Sequence, residues 1–149
     1  MMAANIVAKW TVWGPRLRSV LRIMAALMYL SHGLMKLFAF PIGVPPKGGT
    51  VELLTQSGLG GILELFGGAL LALGLFTRPV AFVLAGEMAV AYFQFHFPRG
   101  FWPIVNQGEL AVLYCFVWLY FSAAGPGPWS LDALMRRRKT SAPSMNSPR

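Results

Sequence analysis

The chain has 149 residues, 56% of them hydrophobic and only 12% charged, about half the roughly 25% charge that a soluble domain carries. That balance excludes an intrinsically disordered chain, which needs low hydrophobicity and many charges, and leaves too few polar side chains to cover a water-soluble globule. The length fits one domain or about four membrane crossings of roughly 20 residues, and the net charge of +8 sits beside the apolar runs, where it marks flanks facing anionic lipid rather than a nucleic-acid surface.

In chain order, residues 1–19 read as a cytoplasmic, interfacial segment with Lys9, Arg16 and Arg18. The first span is expected over about 20–40; its apolar region is too long for a cleavable signal peptide, and Arg22 at its inner boundary can snorkel. Residues 41–57 form the longest outer loop, broken by Pro45-Pro46 and Gly48-Gly49, with 51–54 as a short interfacial turn. A glycine-rich second span follows over 59–76. Phe76-Thr77-Arg78-Pro79 then turns the chain, and Pro79 suits the opening of a third span over 79–97. The fourth span, 108–124, ends at Gly125-Pro126-Gly127-Pro128. Ser130 caps a short helix that places Leu131, Leu134 and Met135 on one face, and residues 133–149 read as a basic, disordered cytoplasmic tail. With the N-terminus inside, nine basic residues lie on the inner side and two, Lys47 and Arg99, on the outer. The positive-inside rule therefore gives an all-α integral membrane four-helix bundle in the cell (inner) membrane, with the membrane domain over 20–132 and both termini cytoplasmic.

The polar residues inside the spans carry the chemistry, because an ionisable group at membrane depth costs roughly 2.5–3.5 kcal/mol on insertion scales. His32 and Lys36 lie in the first span, Glu64 in the second, Glu87 in the third and Glu109 at the start of the fourth, with Gln94 and His96 in the outer part of the third. Helical rise brings them all to the outer half of the bundle. Tyr29, Gly33 and Lys36 share a stripe at i, i+4, i+7, with His32 on its edge. Glu64 lies between Gly60-Gly61 and Gly67-Gly68, a small-residue stripe that permits close helix approach and turns the acid inward. The same groups would also serve as structural pairs that lock four helices together. His96 reads as a solvated end residue, Glu109 as an acid at a helix N-terminus or a ligand, and the lone Cys115 as packing. With no second cysteine there is no disulfide, CxxC pair or cysteine-built zinc site. Two histidines at different depths and no Glu-x-x-His pairs predict neither haem nor metal.

The stretches Ser31-His32-Gly33-Leu34-Met35-Lys36-Leu37, LELFGGALLALGLFTRPVA at 63–81, Gly86-Glu87, GELAVLY at 108–114 and GPGPWSLD at 125–132 resemble the DoxX family of small four-span membrane proteins. The resemblance runs from about Arg22 to Asp132. It implies a membrane subunit associated with quinol or thiosulfate:quinone oxidation, in some relatives partnered with soluble thiol- and superoxide-handling enzymes, and it puts His32, Lys36, Glu64, Glu87 and Glu109 at family-matching positions.

The expected function is therefore a membrane subunit of a quinone-linked, sulfur- or thiol-handling redox complex. Glu64, Glu87 and His32 are the expected catalytic set, and His32, Lys36, Tyr29, Glu109 and Gln94 the expected quinone-binding set. The quinone would enter from the outer leaflet between glycine-lined helices. The expected partners are membrane lipids, soluble redox proteins and further copies of the chain, and not nucleic acid. Two other classes remain open: a non-catalytic scaffold that anchors soluble partners through its loops and basic tail, and a small proton-coupled transporter.

Overall fold

The computed structural model describes residues 2–140, which form helices α1 (Met2–Phe38), α2 (Gln56–Leu73), α3 (Thr77–Ala91), α4 (Pro103–Asn106), α5 (Glu109–Ala124) and α6 (Leu131–Thr140). A π-helical turn over Tyr92–His96 and a 3-10 turn over Phe97–Arg99 carry the chain from α3 towards α4. Among the described residues there is no strand; one antiparallel bridge, Val44 to Gly49, folds the loop between α1 and α2.

Three stretches have the length and apolarity to cross a membrane: Trp10–Phe38, Gln56–Leu73 and Thr77–Arg99. The apolar α5 has 16 residues, about 24 Å at ~1.5 Å per residue, short of the roughly 30 Å hydrocarbon core. Two boundaries differ from the hydropathy pattern. The segment expected to be interfacial over 1–19 is the start of α1, with Pro15 inside the helix: Lys and Arg lower hydropathy but are good helix formers. For the same reason the basic run Arg136 to Lys139 is helical, and α6 continues to Thr140. Ser130 starts that helix as expected, its Oγ accepting from Ala133 N at 3.1 Å. The rest of the expected tail, residues 141–149, lies outside the described residues.

Glycine sets the helix pairing. α1 packs along α2 and α3 along α5. A Cβ on Gly33 would stand 2.5 Å from Leu65 N and 2.8 Å from Gly61 O, so the α1 and α2 backbones touch there. Gly67 leaves room for Leu84 of α3 in the same way, at 2.8 Å. Below these contacts the interior is an apolar cluster of Ala26, Leu71, Ala81, Leu84, Trp118 and Phe121, all buried. Packing of this kind holds membrane helices where no hydrophobic force separates helix from lipid.

The end of the bundle that holds Arg22 is tied by charged side chains. Arg22 does not snorkel: it is 0% exposed. Its Nε donates to Pro126 O at 2.9 Å, its Nη1 to Leu71 O and, at 2.8 Å, to Ala72 O, and its Nη2 to Trp129 O at 2.5 Å. Backbone carbonyls run short of helical partners at the end of α2, although Leu71 O also accepts from Gly74 N at 3.1 Å, and the planar five-donor guanidinium suits a site where several acceptors converge. Asp132 supplies the complementary charge, its carboxylate accepting from Phe76 N and Thr77 N at 2.9 Å each, where the N-terminal dipole of α3 favours an anion. Arg18 and Arg78 close the C-terminus of α5 through Ala124 O at 2.8 Å and Ala123 O at 2.6 Å.

Candidate functional site

The polar residues of the opposite half gather around one cavity of about 580 Å³, within the 300–1,000 Å³ range of small-molecule sites. Tyr29, His32 and Lys36 reach it from α1, Glu64 from α2, Glu87 from α3 and Tyr114 from α5, with His96 of the π-helical turn near its outer end. Each position follows from helical period. Tyr29, His32 and Lys36 are three and four residues apart and so lie over one another on a single face. Glu64 takes its inward orientation from the glycine stripe, because the face that lets α1 approach is the face that carries the acid.

Two acid pairs cross the cavity. Lys36 Nζ donates to Glu64 Oε1 at 2.7 Å, joining α1 to α2, and Tyr29 OH donates to Glu87 Oε2 at 2.8 Å, joining α1 to α3. Gly60 brings the pairs together: a Cβ there would stand 3.3 Å from Glu87 Oε1 and 3.8 Å from Lys36 Nζ. Glu64 is only 4% exposed, and its second oxygen, Oε2, is buried with no hydrogen-bond partner. A buried carboxylate oxygen without a partner carries a desolvation cost of about 1–3 kcal/mol or more. Here that oxygen belongs to a side chain lining open volume. The aromatic floor is rigid, with Tyr29 edge-on to Tyr114 at 5.0 Å and to Trp118 at 5.3 Å. His32 meets Tyr114 edge-on at 6.4 Å.

Two of the expected site residues stand apart. Gln94 is exposed and pairs with Gln56 of α2, because the wider π turn rotates it off the face that carries Glu87. Glu109 is also exposed, in the first turn of α5, while its neighbour Leu110 faces the cavity. His96, expected to be a solvated end residue, is half-buried, with Nδ1 3.1 Å from Asn106 O. Tyr114 was not singled out in the sequence. Its signal is the Ala111, Tyr114, Trp118, Phe121 stripe at helical spacing, all buried, which reads as core until the partner helix is known. Among the described residues no three His, Cys, Asp or Glu side chains gather to hold a metal ion. The cavity's donors and acids suit an organic, hydrogen-bonding ligand.

Residues 17–97, more than half of the chain, match the sequence profile of the DoxX family, a family of small membrane proteins. The chain belongs to the DoxX family. The matched region holds α2, α3 and most of the spanning part of α1, and with them Tyr29, His32, Lys36, Glu64 and Glu87. Tyr114 lies beyond it. An uncharacterized protein of Haemophilus influenzae is 44% identical over 123 residues, covering 79% of this chain and 90% of its own length. An uncharacterized membrane protein of Mycobacterium tuberculosis is 29% identical over 143 residues, covering 85% and 86%. No solved structure matches this DoxX protein.

Proposed function

We propose that this DoxX protein is the quinone-binding membrane subunit of a redox complex that handles sulfur compounds or thiols. The observation that carries the reading is the unpartnered Oε2 of buried Glu64, on the wall of a cavity that also holds Lys36, Tyr29 and His32. A quinone headgroup offers two carbonyl acceptors, and the cavity offers Lys36, His32 and Tyr114 as donors, the single O–H of Tyr29 going to Glu87. When bound, the quinone supplies two-electron, two-proton chemistry from within the membrane. The chain's own residues would bind it, orient it and move protons. Lys36 would hold one carbonyl and His32 the other, while Glu64 and Glu87 exchange protons at Oε2 and Oε1, the oxygens not engaged by Lys36 and Tyr29. General acid–base groups placed this way contribute about 10²–10⁴-fold to a rate.

The reading places four spans in the inner membrane, α5 serving as the fourth despite its length because it packs along α3 and α4 extends it on the outer side. The excess of basic residues at the Arg22 end supports cytoplasmic termini and puts the cavity in the outer half. A soluble electron-donating partner would then dock from the outer side. Quinone content of the protein purified in native lipid discs, wild type against Glu64→Gln, tests the proposal. Stoichiometric quinone in the wild type, lost in a folded Glu64→Gln protein, is the expected result. Quinone no higher than in bulk lipid would overturn it and favour the scaffold.

A further inference from the structure

The cavity has a side opening, and its walls say what passes through. The glycine seam between α1 and α2 is sealed by backbone contact at Gly33 and Gly61, so no ligand enters between those helices. On the α1–α5 side, Tyr29 and Tyr114 are buried against each other. The α2–α3 side differs. Above the Gly67–Leu84 contact the two helices are bridged by Glu87 beside Gly60 and, at the outer end, by the exposed Gln56–Gln94 pair. On this side the cavity is lined by Leu59 and Leu63 on α2 and by Val83 and Val90 on α3, and all four are exposed, Leu63 at 39% and Val83 at 52%. An exposed apolar side chain at span depth faces lipid, so this rim is an opening from the cavity into the hydrocarbon. Its chemistry is graded: an aliphatic apolar wall at the rim, then the acid pairs and the orphaned Glu64 oxygen behind it.

Resting on the quinone reading above, we infer that the ligand is a tail-bearing amphiphile that enters sideways from the bilayer between α2 and α3. Its hydrogen-bonding head reaches Lys36 and Glu64, and its alkyl or prenyl tail stays in the window framed by Leu63 and Val83. The head is selected by the acid pairs and the tail by the rim, so tail and head make separable contributions. A water-soluble ligand of the same head would reach the same pairs without crossing the rim.

The test compares a decyl-tailed benzoquinone with its tail-less parent ring, binding to the full chain in phosphatidylcholine discs. Val83→Trp and, from the facing wall, Leu63→Trp each fill the rim without touching the acid pairs; Gly86→Leu adds bulk at a helix position where a Cβ meets nothing within 4 Å. Expected is a loss of about tenfold or more for the tailed quinone in either Trp variant, a step of ~1.4 kcal/mol, with tail-less binding unchanged and Gly86→Leu like wild type. Equal losses for both quinones, or no loss for either, would overturn the side entry while leaving the quinone site standing. Binding of neither quinone to the wild type would overturn the quinone reading and this inference with it.

Discussion

The two ends of the bundle both bury charge, but they resolve it differently. At one end every part of the Arg22 guanidinium meets a carbonyl, from the end of α2 or from the loop after α5, and the Asp132 carboxylate meets two backbone N–H groups. Arg22 and Asp132 close helix ends that lipid could not satisfy, although Arg18 Nε and Thr77 Oγ1 beside them are buried without a partner. In the opposite half the acids meet side chains instead of backbone, and Glu64 Oε2 meets nothing. A group saturated by backbone is a structural fastener. An acid held by one lysine, with its other oxygen buried and unpaired on a cavity-lining side chain, is the candidate binding group.

The sharpest way to break this comparison is Arg22→Met. It should strand the carbonyls of Ala72, Pro126 and Trp129, each costing about 1–3 kcal/mol when buried unpaired, and so abolish a cooperative thermal transition in detergent; a variant as stable as wild type would mean this end is open to water. Next comes Lys36→Met, which leaves buried Glu64 without its cation and should destabilise by about 3–5 kcal/mol. Adding Glu64→Gln should recover part of that loss in a double-mutant cycle, with a coupling of about 0.5–3 kcal/mol. Additive effects would show that the pair is not formed. Asp132→Asn should cost about 0.5–2 kcal/mol as a weakened cap on α3, leaving quinone binding as it was. Smallest of all, Glu109→Gln at an exposed position should fall within about 0.5 kcal/mol of wild type in stability and retain bound quinone, whereas loss of quinone would bring Glu109 back into the site.

Much of the candidate site was legible in the sequence because helical period and hydropathy are local. The i, i+3, i+4 spacing of Tyr29, His32 and Lys36 puts them on one face in any helix, and the glycines around Glu64 announce the face that another helix covers. Residues that depend on a turn or an end were not legible. Gln94 needed the π turn, whose extra residue shifts everything after it. Arg22 looked like a snorkelling residue because its carbonyl partners lie 49 to 107 positions away, and no local pattern reports an acceptor that distant. Tyr114 was hidden for the same reason, since an aromatic on a buried stripe is core or cavity according to what stands opposite.

By itself, then, the sequence determined that this protein is an all-helical membrane protein with ionisable groups at span depth, and it determined the face on which each group sits, since both follow from interactions within a few residues. Only the tertiary structure decided that Lys36 meets Glu64 and Tyr29 meets Glu87, that Glu109 stays outside, and that the cavity opens between α2 and α3. Those outcomes depend on how each helix rotates about its own axis and which neighbour it touches. Backbone contact at Gly33 and Gly61, the room that Gly67 leaves for Leu84, and the carbonyls gathered around Arg22 set that rotation together.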